Sequence, residues 1–320
     1  MTPLNLVFAG TPRFAVPTLE ALMDAGHRLS LVVTQPDKPR GRGMALAASP
    51  VKQCALDRSL PVVQPEKIKR NPEFQSTLTA LAPDAIIVVG YGRIIPQWMI
   101  DLPRLGNLNL HASLLPKYRG AAPVQWAIAE GEAVTGVTIM RIDAGLDTGD
   151  ILTQRELPIA ADDTAETLAP SLAAMGAALM VETLRNLAEK KIHPIPQDHA
   201  RATLAPILTR EDGRIDFHRT ATQIRNRLRG FQPWPGAFTT FRAKSLHLWS
   251  AKVVPRESVP ENLGSGELAV ADGVLLVGCG ESTALELLEL QLEGKKHMTA
   301  RDFVNGYRPL PRERLGETAS

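Results

Sequence analysis

Residues 4–10, LNLVFAG, and residues 84–92, DAIIVVGYG, decide the fold of this chain, because each is an apolar run that ends at a glycine. A strand with one wet face alternates apolar and polar residues. A strand covered by helices on both faces is hydrophobic almost throughout, which is the habit of parallel sheets. Between the two runs, FAVPTLEALMDAGH (14–27) has helical spacing and closes at Gly26, RLSLVVTQ (28–35) is a second strand, and EFQSTLTALA (73–82) is a polar helical stretch. Strands alternating with helices at this spacing predict βαβ units in a doubly wound, mostly parallel α/β sheet of Rossmann-like type. Ligands of such sheets bind at the carboxyl ends of the strands. The loop GTPRFA after the first run lacks the glycines of a pyrophosphate loop, since Gly10 is followed by Thr11, Pro12 and Arg13, and this argues against NAD.

Further along, DTAETLAPSLAAMGAALMVETLRNLAE (163–189) reads as a long helix entered by capping residues, with Pro170 placed to bend it. The next stretch is broken by Pro194, Pro196 and Pro206 and has little periodicity, so it reads as a linker. After it come a helix, ATQIRNRLRGF (221–231), and the runs GAFTTFRAK, SLHLWSAKVV, GELAVADGVLLVGCG and ALELLELQLEG with glycines between them. Short strands with glycine turns predict a small β-barrel of OB-like type. The expected division is a catalytic domain over 1–190, a linker over 191–209 and an OB-like domain over 210–320, with the tail from Pro309 frayed.

The 320 residues are 44% hydrophobic and 22% charged, which excludes a disordered chain. The first residues lack a basic, then apolar, leader, and no apolar run is read as approaching the ~20 residues of a bilayer span, so a cytoplasmic protein without membrane association is expected. Two cysteines, Cys54 and Cys279, and seven scattered histidines give no metal-ligand spacing, so no metal is expected. The net charge is only +2, but residues 201–250 hold nine basic residues against three acidic ones. Such a window is either a solvated face or a surface for a polyanion.

The chemistry gathers in LGNLNLHASLLPKYRGAAPVQWAI (105–128). Asn109 and His111 stand two positions apart at the end of a short strand, and a period of two turns both side chains to one face. An amide N–H and an imidazole converging there could hold an oxyanion. The later loop MRIDAGLDTGDIL (140–152) carries Asp143, Asp147 and Asp150 among glycines. Spacing alone does not separate it from an ordinary aspartate-rich turn.

The stretches 109–128 and 135–152 together closely resemble the signature of the folate-dependent formyltransferases: Asn, one residue, His, one residue, Ser-Leu-Leu-Pro, then Arg-Gly. That resemblance implies a one-carbon transferase in which Asn109, His111 and Asp147 are catalytic. It places Ser113, Leu114, Leu115 and Pro116, with Gly90, Ile142 and Asp143, at the site of a 10-formyltetrahydrofolate donor. It also implies direct attack of an amine on the formyl carbon through a tetrahedral intermediate, with Asp147 assisting His111.

FAGTPRFA (8–15), TQPDKPRGRGMALAASPVK (34–52), FQPWPGA (231–237) and GKKHMTARDFVNG (294–306) are similar to the members of that family whose acceptor is initiator methionyl-tRNA. The implied protein is a monomer acting in translation initiation. Lys38, Arg40 and Arg42 would meet tRNA phosphates, and Arg210 and Arg214 would do so from the second domain. The chain departs from the family pattern at MALAAS, which is poor in lysine, and at Ile207, where a lysine is usual. The competing readings are a small-amine acceptor, such as an amino-sugar nucleotide or glycinamide ribonucleotide, and an RNA-binding protein without activity. Intact Asn109, His111 and Asp147 count against the latter.

Overall fold

The computed structural model describes residues 2–40, 45–271 and 273–316. Its described residues form two compact units. The first comprises 1–123, 134–158 and 168–207, and the second comprises 124–133, 159–167 and 208–320.

The first unit is built on seven strands: β1 (Asn5–Gly10), β2 (Arg28–Val33), β3 (Val62–Val63), β4 (Ala85–Val89), β5 (Asn107–His111), β6 (Val134–Arg141) and β7 (Ile151–Pro158). They lie side by side in the order β7-β6-β5-β4-β1-β2-β3. The five from β5 to β3 are parallel, as the apolar runs required. β1 and β4 are buried along almost their whole length, with Val7, Phe8, Ala9, Ile86 and Ile87 fully covered. β6 and β7 add an antiparallel edge. The strand order reverses between β1 and β4, so the crevice opens at their carboxyl ends.

The helix Ala165–Ala188 lies within one residue or two of its expected bounds. Its apolar character exceeds the sequence reading, for it is long and apolar enough by length and composition to cross a membrane. Half of its most apolar window is buried within the protein, including Leu172, Ala173, Met180 and Leu184. Gly176 lets it approach the sheet, since a Cβ there would lie 2.6 Å from both methyl carbons of Leu110.

Most of the stretch expected to be a linker belongs to the first unit. Ile195 exchanges backbone hydrogen bonds with Ile151, and Leu204–Ala205 pairs in parallel with Arg119–Gly120. Proline and the lack of periodicity correctly exclude a long helix or strand there. They do not forbid two-residue pairings or side-chain bonds.

The second unit is an antiparallel sheet with strands Ala237–Phe241, Lys244–Val253, Thr283–Leu292, Val274–Cys279 and Leu268–Ala271 in that order, and Met298–Thr299 paired to the third. Among the described residues no strand pairing joins the first to the last, so the barrel is partly open. The helices Ala221–Gly230 and Ala300–Tyr307 contribute Ile224, Leu228 and Phe303 to its core beside Leu246, Leu285 and Leu290. The second helix begins at Thr299, whose side chain accepts from the Asp302 amide at 3.1 Å. The tail is not frayed as far as Gly316. Leu315 is buried, its amide bonds the Gly266 carbonyl at 2.8 Å, and Glu313 holds Arg242 at 2.6 and 2.9 Å.

In the first unit, His27 is buried. Its Nδ1 accepts from the Leu4 amide at 3.2 Å, while Nε2 has no partner among the described residues. Burial lowers its pKa below the ordinary 6.5. The unfolded chain therefore takes up a proton at a higher pH than the folded one, and stability falls as the pH drops from 6.5 towards the folded value. His27→Asn keeps an acceptor and removes the titration. In urea unfolding the difference between the two proteins should be constant above neutrality and should shift in the variant's favour below pH 6.5.

Candidate active site

Strand β5 sits between β4 and β6, with Asn109 opposite Val88 on one side and Met140 on the other, and His111 opposite Thr138. Leu108 and Leu110 face the apolar interior, and Asn107, Asn109 and His111 share the other face. Asn107 anchors the start of the strand, donating to the carbonyls of Met99 and Ile100 at 2.8 and 3.0 Å. The Asn109 amide makes no hydrogen bond to other described residues, so its donors remain available to a ligand.

His111 is 5% exposed, and its Nε2 lies 2.8 Å from the Tyr118 carbonyl oxygen. A carbonyl only accepts, so Nε2 carries the hydrogen. Nδ1 is then the nitrogen free to gain or lose a proton, and it faces Oδ2 of Asp147 at 3.7 Å. The same Oδ2 accepts from the Gly120 amide at 2.9 Å. Asp147 is thus aimed by its neighbours at the imidazole, with its own backbone in the left-handed region at φ +51°. A non-glycine residue held there costs about 1–3 kcal/mol and persists only where its surroundings fix it.

The Ser-Leu-Leu-Pro loop is braced from behind. Thr138 is fully buried, donates to the Ser113 carbonyl at 2.6 Å, and accepts from the Leu115 amide at 3.2 Å and from Gln154 at 2.9 Å. Gln154 also donates to the Leu115 carbonyl at 2.9 Å. Ser113 is fully buried with its hydroxyl donating to the Lys117 carbonyl at 2.6 Å, and Leu115 is buried too. Of the four residues, only Leu114 and Pro116 offer surface.

The other expected donor-site residues are dispersed in role. Gly90 is exposed at φ +56°, and a Cβ there would meet Pro12 at 2.8 Å. Ile142 is half-buried against the core beneath β4. Asp143 is exposed and holds its own loop, accepting from Gly145 and Thr148 at 3.0 and 2.7 Å. The loops after β4 and β6 leave Ile94 and Leu146 89% and 63% exposed.

Lys38 is exposed in the strand Lys38–Arg40, which pairs with Ala45–Ala47. Arg42 lies outside the described residues. A cleft of about 230 Å³ beside this hairpin is lined by Thr11, Gln35, Lys38 and Ser49, at the carboxyl ends of β1 and β2.

In the second unit Arg210 and Arg214 both lie over Phe238, 5.6 and 5.4 Å from its centroid, and Arg214 also pairs with Glu211 at 2.9 Å. Much of the basic window has internal partners. Arg225 pairs with Asp162 at 2.6 Å, Arg227 stacks on Trp126 and Phe231, Arg229 is buried against the carbonyls of Ala160 and Asp163, and Arg242 pairs with Glu313. The count of nine basic residues therefore overstates the charge offered to a polyanion.

A strand-borne amide and imidazole, a carboxylate on a glycine loop, and a Rossmann-like sheet define a group transferase. The chain belongs to the formyl transferase family: residues 4–184 match Formyl transferase, and residues 207–308 match Formyl transferase, C-terminal domain. It is 66% identical to the methionyl-tRNA formyltransferase of Koribacter versatilis, over 98% of this chain and 99% of that protein. It is 62% identical to the methionyl-tRNA formyltransferase of Acidobacterium capsulatum, over 98% and 100%. In fold it is similar to the N-formyltransferase from Helicobacter canadensis, solved with folinic acid and dTDP-3-aminofucose, with a TM-score of 0.63, 19% identity and coverage of 89% and 98%.

Thr138→Val keeps the shape and removes the hydroxyl, leaving the Leu115 amide, the Gln154 amide and the Ser113 carbonyl short of a partner in the interior. Denaturant unfolding should show a loss of about 2–4 kcal/mol, and an unchanged midpoint would contradict the bracing role.

Proposed function

We propose that this chain transfers a formyl group from 10-formyltetrahydrofolate to the α-amino group of methionine on initiator tRNA, in the cytoplasm and for translation initiation. The observation that carries the chemistry is the Asn109 amide, without a hydrogen bond among the described residues, on the same strand face as a His111 ring whose Nδ1 faces Asp147 at 3.7 Å. The acceptor follows from identity of 66% and 62%, end to end, with proteins named for methionyl-tRNA.

The donor supplies a carbonyl carbon open to attack by an amine, and collapse of the tetrahedral adduct breaks the bond from that carbon to N10, so that the folate leaves with a proton on N10 as the amine gives one up. Asn109 N–H stabilises the negative charge that grows on the formyl oxygen, from a strand that is itself held between β4 and β6. His111 is anchored at Nε2 by Tyr118, so proton traffic runs through Nδ1. Asp147 attracts positive charge on that ring and is itself aimed by the Gly120 N–H. Leu114 and Pro116 line the donor side, and Ile94 and Leu146 offer apolar cover to its ring system.

The tRNA would be gripped by both units. Lys38 with Arg40 and Arg42 is the proposed phosphate contact of the first. The second unit presents Arg210 beside Phe238, with Trp234 and Trp249 56% and 38% exposed as apolar or stacking surface. The exposed Ile207 removes one cation from this set. A monomer suffices for this arrangement.

Purified protein should be offered 10-formyltetrahydrofolate with charged initiator tRNA, with free methionine, and with amino-sugar nucleotides. Formyl transfer to the tRNA alone is expected. Transfer to a small amine with none to the tRNA would overturn the acceptor. His111→Ala should lower kcat/KM by roughly 10²–10⁴-fold, and near-normal turnover would remove His111 from the chemistry.

A further inference from the structure

We infer that Arg119 and Gln197 are positioning residues that clamp the Asp147 loop, an inference that rests on the formyl-transfer reading above. Arg119 is 7% exposed, yet it pairs with no carboxylate among the described residues. Its Nε and Nη2 both donate to Oε1 of Gln197, at 3.2 and 2.7 Å, and Nη2 also donates to Nδ1 of His199 at 3.1 Å.

A guanidinium only donates, so these bonds fix two orientations. Gln197 must turn its oxygen to Arg119, and His199 must present a bare Nδ1 to it. The Gln197 amide nitrogen then faces the other way, where it donates to the backbone carbonyls of Asp147 at 2.9 Å and Gly149 at 2.7 Å. Those two carbonyls belong to the loop that carries the carboxylate beside His111. Burying a guanidinium is costly unless its donors are met. Here the Nε and Nη2 donors meet His199 and an amide whose far side holds the catalytic loop, and a charged donor strengthens the chain of bonds it begins.

The clamp accounts for the left-handed backbone of Asp147, φ +51°, which needs restraint from outside its own loop. It also gives a use to the segment read from sequence as a linker. Arg119 touches no reacting group, so its effect must be on geometry: a displacement of the carboxylate by about 1 Å is worth up to roughly 100-fold in rate.

The test uses the full-length protein with Arg119→Met, Arg119→Lys and Gln197→Met. In formylation of methionyl-tRNA, the two Met variants should lose roughly 10–100-fold in kcat, while KM for both substrates stays within about threefold. Arg119→Lys restores a cation and a donor and should recover part of the loss. The double Met variant should be no worse than the poorer single one, because the two residues act in series. Hydrogen exchange across residues 143–150, which needs no substrate, should rise about tenfold or more in Gln197→Met. If Arg119→Met does not fold, Gln197→Met carries the test, since it leaves the Arg119–His199 bond in place. A kcat within twofold of normal in folded Gln197→Met, or losses that multiply in the double variant, would overturn the clamp. Unchanged exchange would overturn it whatever the acceptor proves to be.

Discussion

The hydrogen bond from Nε2 of His111 to the Tyr118 carbonyl, 2.8 Å long, is the contact on which the rest of the site depends. It places the hydrogen on one ring nitrogen and so leaves the other for chemistry. The residues that follow continue the same task. The Tyr118 carbonyl fixes the imidazole, the Arg119 guanidinium reaches the Asp147 carbonyl through Gln197, and the Gly120 amide holds the Asp147 carboxylate. Three consecutive residues thereby set both partners of the His111–Asp147 contact. They are steadied by their pairing with Leu204–Ala205, which requires glycine at 120, where φ is +124° and a Cβ would lie 2.6 Å from the Ala205 carbonyl oxygen.

Charge is handled differently in the two units. In the first, the buried Arg119 cation is matched to dipoles and, among the described residues, not to a carboxylate, while Asp147 faces His111. In the second, many of the arginines of the basic window are paired or stacked internally. The nucleic-acid surface proposed for this unit would depend on stacking as well as on phosphate contact.

The parallel sheet was legible in the sequence because continuous apolar runs have one good explanation, and LNLVFAG and DAIIVVGYG became β1 and β4. Asn109 and His111 on one face followed from strand period alone. Asp147 could not be told from Asp143 or Asp150 by spacing. What separates them is a long-range bond, for the Gly120 amide finds Asp147 across 27 residues while Asp143 caps its own turn. Gln197 was hidden for the same reason. It lies in a proline-broken stretch without periodicity, and its role depends on partners 48 to 78 residues away. The basic window stayed ambiguous in the sequence because a count of charges does not reveal which carboxylates, carbonyls and rings the fold will bring to them.

The most direct test of the site's organisation is the pair of ¹⁵N resonances of the His111 ring in the full-length protein, at a pH where the ring is neutral. The hydrogen is expected on Nε2, bonded to the Tyr118 carbonyl, with Nδ1 bare and sensitive to Asp147→Asn. A ring carrying its hydrogen on Nδ1, with resonances indifferent to that substitution, would contradict the assignment.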